Sequence, residues 1–414
     1  MADHPNRTRM DDLVEATKLT GAGRLQEAAD LIQRGLFGRH DAETSGRMVQ
    51  VGGGEAAKPA HPTAGSMTEG LQDHLREALD QVARKFGLTS ASGQAGQGVV
   101  APGSAPSGFS GFDPTNLFRD GNVPIPPAGE GTFTEHAFAN DAGARDYKLY
   151  VPSRTVAQPP LLVMLHGCTQ SPDDFAAGTG MNRLAETEGF LVVYPAQSTR
   201  AHGQRCWNWY QPGDQGRGSG EAEIIAGLTR AVMSQYKVDA RRVYIAGLSA
   251  GGAAAANIAL AYPDLYAAVG VHSGLAAGCA GDVSTALTTM RLGPSGSVAI
   301  PLAETMRVPT IMVHGESDGT VHPRNGDQVL LQAGVESLQP SVSEGTGPGG
   351  LAYIRTRYAD ESDRVVVESW VVRGLGHSWS GGDPAGSYTD ARGPDASRAM
   401  VDFFMAHRLD RPRH

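Results

Sequence analysis

A chain of 414 residues, 40% of them hydrophobic, can bury a large core and is longer than one ordinary domain requires. Its formal net charge of -9, with no cluster of Lys and Arg, excludes the basic surface from which nucleic-acid binders draw their affinity. No apolar run is long enough to span a bilayer, and the opening Met1-Ala2-Asp3-His4-Pro5-Asn6-Arg7 lacks the apolar core of a secretory signal, so the expected address is cytoplasmic.

Residues 1–40 read as a helical hairpin, with Leu25, Ala28, Ala29, Ile32 and Leu36 on one face of its second helix and a break at Gly21–Gly23. From 41 to 130 the composition turns to Gly, Ala, Ser and Pro, which bury too little apolar surface to offset the entropy of ordering. One amphipathic helix interrupts that linker at about 67–86, where Leu71, Leu75, Leu79, Val82 and Phe86 recur at helical spacing. The expectation is a helical, partly disordered extension with a docking or regulatory role, and nothing recurs at a fixed period to suggest a solenoid.

Residues 131–414 read as one α/β domain. Period-two alternation over Phe133–Phe138 and Tyr147–Val151, joined by Asn140-Asp141-Ala142-Gly143, predicts an antiparallel hairpin at a sheet edge. Continuous apolar runs follow at Leu161–Leu165, Phe190–Tyr194, Val243–Ala246, Ala267–Val271, Thr310–Val313 and Val365–Val372, mostly separated by helical segments. Strands of that kind, buried on both faces and alternating with helices, predict a mostly parallel, doubly wound sheet.

The chemistry centres on Gly247-Leu248-Ser249-Ala250-Gly251, which stands between a strand and the helical stretch Gly252-Ala253-Ala254-Ala255-Ala256. Flanking glycines permit a sharp turn that exposes Ser249 as a nucleophile, and the helix start offers N–H groups to a developing oxyanion. A serine nucleophile needs a base and an acid, each at a strand end near the elbow. Asp318 follows the strand Thr310–Val313, ahead of Glu316 and Asp383 as candidates, and His377 follows the last strand, ahead of His314, His322 and His272. The order Ser, Asp, His is that of α/β-hydrolases. The turn His166-Gly167-Cys168-Thr169-Gln170 after another strand supplies a second backbone donor at Cys168, beside that of Ala250.

Cys206-Trp207-Asn208-Trp209-Tyr210 is dense enough in aromatics to line a cleft, with Trp207 or Trp209 facing substrate beside Asn208, and Trp379 forms a further part of the wall. Three cysteines are too few for a disulfide framework, and Cys168 and Cys206 read either as free thiols or as one bridge. With no metal-ligand spacing and no phosphate cradle, neither a metal nor another cofactor is expected.

Taken together, His166-Gly167-Cys168-Thr169-Gln170, Cys206-Trp207-Asn208-Trp209, Gly247-Leu248-Ser249-Ala250-Gly251, His314-Gly315-Glu316-Ser317-Asp318 and Gly376-His377-Ser378-Trp379 resemble the poly(3-hydroxybutyrate) depolymerase family of esterases over about residues 131–407. The resemblance implies a triad of Ser249, Asp318 and His377, an oxyanion hole from Cys168 and Ala250, and a substrate border around Trp207. The family also includes feruloyl and acetylxylan esterases and poly(aspartic acid) hydrolases, so the acyl group stays open. Short hydroxyalkanoate esters or oligomers are the expected substrates, with a polyester granule as a further expected partner of the chain. A non-catalytic scaffold is the remote alternative.

Overall fold

The computed structural model describes residues 131–294 and 308–410. The hairpin expected over 1–40 and the linker with its helix over 41–130 lie outside the described residues.

The alternating segments form β1 (Thr132–Asn140) and β2 (Gly143–Val151), paired antiparallel from Thr132 opposite Val151 to Asn140 opposite Gly143. Their turn is closed by Asn140 Oδ1, which accepts from Ala142 N at 3.1 Å. Next come β3 (Leu161–Leu165), α1 (Pro172–Thr179), α2 (Met181–Glu188), β4 (Leu191–Pro195), α3 (Pro212–Gln215), α4 (Gly220–Tyr236), β5 (Val243–Leu248), α5 (Ala250–Ala261) and β6 (Ala268–His272). They are followed by α6 (Val283–Leu292), β7 (Thr310–Gly315), α7 (Arg324–Gln332), β8 (Gln339–Thr346), β9 (Ala352–Ala359), β10 (Val365–Val372), the short β11 (Trp379–Ser380) and β12 (Thr389–Asp390), and α8 (Ala396–Met405).

Ten strands share one sheet in the order β1-β2-β4-β3-β5-β6-β7-β10-β9-β8. Its centre, from β4 to β10, is parallel, as the apolar runs predict. Alternate residues of each strand feed one of two cores. Leu161, Val163, Ile245 and Val271 meet Ile225 and Leu228 of α4 and the alanines of α5, whereas Leu162, Met164, Tyr244 and Val313 meet Phe175, Met181 and the α8 residues Met400 and Phe404. The small side chains of α5 let it lie close on β5, which sets the path of the chain through Ser249.

The sheet extends further than the apolar runs indicate, because β8 and β9 add an antiparallel pair beyond β10. β8 reads Gln339-Pro340-Ser341-Val342-Ser343-Glu344-Gly345-Thr346 and is exposed along nearly its whole length. An edge strand with no buried face carries no apolar period, so its pairing rests on backbone hydrogen bonds to β9. Pro340 and Glu344 are residues that discourage further strands from adding to such an edge.

Candidate active site

The end of β5 turns into α5 at Ser249, whose φ of 57° and ψ of -121° lie in a region that L residues rarely occupy. Neighbouring contacts enforce that conformation. Ser249 N donates to His272 O at 2.9 Å, and Ala253 N donates to Ser249 O at 3.0 Å. A Cβ on Gly251 would stand 2.1 Å from Leu165 O, and one on Gly247 would stand 2.3 Å from Gly251 C. The elbow's backbone thus packs directly on the end of β3, and only glycine fits at either position.

Because β5, β6, β7 and β10 are adjacent and parallel, Leu248, His272, Gly315 and Val372 end at one edge of the sheet. Ser249, Asp318 and His377 all follow strands that end there. The β7 and β10 loops interlock: Ser317 N donates to Leu375 O at 3.0 Å, and a Cβ on Gly315 would stand 2.3 Å from Leu375 O. This close approach carries Asp318 to His377, whose Nδ1 lies 2.8 Å from Asp318 Oδ2. The other carboxylate oxygen accepts from Thr320 N at 2.9 Å and Val321 N at 2.8 Å.

Burial by itself would raise the Asp318 carboxyl, but the hydrogen bond and charge of His377, the Val321 N–H and His314 outweigh it and hold the group below its ordinary value. An ionised Asp318 accepts the proton on Nδ1 of His377 and leaves Nε2 as the acceptor. Among the described residues the Ser249 hydroxyl makes no hydrogen bond, so the contact with Nε2 is not made in this structure. In substrate-free sites such bonds are often long and tighten with substrate.

The competing histidines have other main-chain partners, although His314 Nε2 also lies 3.5 Å from Asp318 Oδ2. His314 Nε2 donates to Val321 O at 2.9 Å, the fully buried His272 accepts from Ser380 N at 3.0 Å, and His322 Nδ1 accepts from Arg324 N at 3.2 Å. Of the competing acids, Asp383 pairs with Arg183 at 3.2 Å.

The turn after β3 is held from three directions. Cys168 is disulfide-bonded to Cys206, so the bridge left open by the sequence is formed. Trp207 Nε1 donates to His166 O at 3.0 Å, and His166 Nε2 accepts from Gln197 N at 3.1 Å while its Nδ1–H donates to Gly167 O at 2.7 Å. Glu221 anchors the far side of the same loop: it accepts from Asn208 N at 2.7 Å and pairs with Arg145 at 2.8 Å, and burial raises its carboxyl. The N–H groups of Cys168 and Ala250 are bonded to no described residue, whereas Thr169 N is taken by Gln204 O at 2.7 Å.

The disulfide closes a loop 38 residues in separation, for which the loss of chain entropy on unfolding is worth about 3–4 kcal/mol. Reduction is expected to lower the melting midpoint by about 10 °C and to lower kcat by releasing the Cys168 turn. Calorimetry with and without a phosphine reductant, alongside a Cys168→Ser/Cys206→Ser variant, measures the effect; identical melting in all samples would show that the bond does not constrain the turn.

The aromatic residues expected in the cleft wall are mostly interior. Trp207 is 0% and Trp379 1% exposed, so neither offers a face to substrate. Trp379 stacks on His272 with centroids 4.7 Å apart, meets Phe175 edge-on and donates its indole N–H to Ser397 Oγ at 3.0 Å. It thereby fills the space beneath the His377 loop. Trp209 is 5% and Asn208 7% exposed; Trp209 O accepts from Asn257 Nδ2 and Gln215 Nε2, both at 2.8 Å, and the amide of Asn208 meets Glu221. The Trp209 side chain is therefore packed inside, because large aromatic surface is more stable buried than lining a wet cleft, while Asn208 donates its amide to Glu221 and keeps a buried Oδ1 with no partner among the described residues.

Residues 145–336 match the family model described as esterase PHB depolymerase. That stretch lies within the described α/β domain, which is similar to the PHB depolymerase family of esterases. Poly(3-hydroxyalkanoate) depolymerase C of Paucimonas lemoignei is 33% identical over 253 residues, 58% of this chain and 60% of that protein. Feruloyl esterase B of Thermothelomyces thermophilus is 29% identical over 251 residues, 55% of this chain and 82% of that protein. The chain thus spans 60% of the length of the depolymerase it matches. Among solved structures, the acetyl xylan esterase from Aspergillus awamori superposes with a TM-score of 0.54 at 21% identity, over 67% of this chain and 100% of that one, a likeness of fold. No helix among the described residues is long and apolar enough to cross a membrane.

Proposed function

We propose that the chain is a serine esterase that cleaves short hydroxyalkanoate esters or poly(3-hydroxybutyrate)-type oligomers through an acyl-enzyme. The observation that carries this is the 2.8 Å contact of His377 with Asp318 at the sheet edge where the elbow presents Ser249. Ser249 Oγ attacks the ester carbonyl while His377 Nε2 takes its proton; the N–H groups of Cys168 and Ala250 receive the oxyanion. The tetrahedral intermediate collapses, and the proton passes from His377 to the leaving alcohol. Water deprotonated by the same imidazole then frees the acid and restores Ser249.

The depolymerase relative favours a polyester over the feruloyl, acetylxylan or poly(aspartate) alternatives, and turnover of hydroxybutyrate trimer, feruloyl arabinose, acetylated xylo-oligosaccharide and poly(aspartate) compares them directly. Granule binding belongs with the polyester alternative. A cytoplasmic address would keep Cys168 and Cys206 in a reducing milieu, where such bonds are rare, so the bridge supports an oxidising one. Thiol counting on protein taken from its native host decides the compartment.

Ser249→Ala is expected to lower kcat on p-nitrophenyl butyrate by about 10⁵-fold or more. Turnover retained in that variant, or absent from the parent protein on every ester of the panel, would overturn the mechanism.

A further inference from the structure

Among the described residues, eight non-glycine positions have left-handed φ, and Thr169 at 69° and Tyr388 at 52° stand out because β-branched and bulky side chains are the least suited to it. These two touch: Thr169 Oγ1 and Tyr388 Oη lie 3.3 Å apart. Thr169 directly follows Cys168, and Tyr388 is joined to the His377 loop, since Trp379 N donates to Tyr388 O at 2.7 Å. The pair therefore bridges the two loops that carry the oxyanion donor and the base.

The surroundings hold both residues firmly in this unfavourable backbone. Thr169 is bracketed by the Cys168 disulfide and by its own N–H on Gln204 O at 2.7 Å. On the other side, Ser387 N donates to Asp174 Oδ1 at 2.8 Å and Ser387 O accepts from Gln170 Nε2 at 3.1 Å, while Gln170 Oε1 takes Gly167 N at 2.8 Å. A Cβ on Gly386 would stand 2.3 Å from Gly178 N, so that loop packs backbone to backbone on α1. Yet the ring these contacts position is 41% exposed, unlike Trp207 and Trp379. Strain retained around an exposed aromatic next to a reacting centre does nothing for stability, and strain of this kind concentrates at functional sites.

We propose that Tyr388, supported by Thr169, grips the substrate chain beside the reacting ester and sets a preference for oligoesters over monoesters. This rests on Ser249 being the nucleophile. Thr169 Oγ1 donates to Cys168 O, so toward Tyr388 it is the acceptor of a long hydrogen bond. The phenolic O–H can exchange that bond for the carbonyl of a neighbouring ester unit, and the ring offers an apolar face to the short alkyl groups between carbonyls. A chain repeating a carbonyl and a small alkyl substituent matches both features, and a monoester has no second carbonyl to engage.

Two variants separate recognition from structure. Tyr388→Phe removes only the hydroxyl, and Tyr388→Gly removes the ring while relieving the left-handed backbone. The ratio of kcat/KM on hydroxybutyrate trimer to that on p-nitrophenyl acetate is expected to fall about fivefold in Tyr388→Phe and further in Tyr388→Gly. The melting midpoint of Tyr388→Gly should be no lower than that of the parent. In the Ser249→Ala background, calorimetric binding of the trimer should weaken by a similar factor on adding Tyr388→Phe. Ratios within twofold of the parent in both variants, or equal trimer binding in that background, would overturn the proposal; so would a selective loss on acetylated xylo-oligosaccharide. Turnover retained by Ser249→Ala would instead refute the nucleophile, and the binding comparison would still decide Tyr388.

Discussion

Asp318→Asn is expected to lower kcat by about 10⁴-fold with little change in KM. The geometry supplies the reason. Thr320 N and Val321 N both donate to Oδ1, so an asparagine must place its carbonyl oxygen there and turn its amide NH2 toward His377. Nδ1 of His377 would then have to accept, which puts the ring proton on Nε2, the atom that should take the proton from Ser249. Steady-state kinetics on p-nitrophenyl butyrate would test this, and a loss below tenfold would remove Asp318 from the mechanism.

Acidification is expected to destabilise the domain strongly between pH 6.5 and 4.5. His166 and His272 are fully buried, and desolvation pushes them from 6.5 down to about 4 and about 3; His314 is lowered by the same cause. The unfolded chain takes up these protons near pH 6.5 and the folded chain only far below it, so unfolding binds protons across this window and stability falls with pH. For His166 and His272 together the loss reaches about 5 kcal/mol over two pH units, a large share of an ordinary folding free energy. Asp318, held low, adds a loss of the same sign at still lower pH, as it protonates. Glu221 and Asp327, raised by burial, pull the other way above pH 4. Calorimetry at pH 5 in buffers of differing ionisation enthalpy should detect uptake of about two protons on unfolding. Melting unchanged from pH 7 to pH 4.5 would mean that these histidines are not buried neutral.

How much of this was legible in the sequence follows from where the information resides. The β1–β2 hairpin, its Asn140–Gly143 turn and the parallel centre were readable because each depends on local period and turn chemistry. The strand ends carrying Ser249, Asp318 and His377 were readable for the same reason, since glycine and polar residues follow apolar runs. β8 was not, because a strand exposed on both faces has no apolar period. The interior positions of Trp207 and Trp379 depend on partners such as His166, Phe175 and Ser397, which are distant in the chain. Thr169 and Tyr388 escaped for a related reason: nothing in a single threonine or tyrosine announces a positive φ, and the residues are 219 positions apart. A tyrosine preceded by Gly386-Ser387, in a loop otherwise built of small residues, was the faint signal available.

The interleaved strand order also bears on biosynthesis. On the proposed mechanism Ser249 emerges from the ribosome well before the strand that brings His377, and β10 must insert beside β7 before proton transfer can begin. Any polypeptide released before residue 377 has been translated would hold a serine with no partner to activate it. On that mechanism, hydrolytic competence waits on near-complete synthesis of the domain.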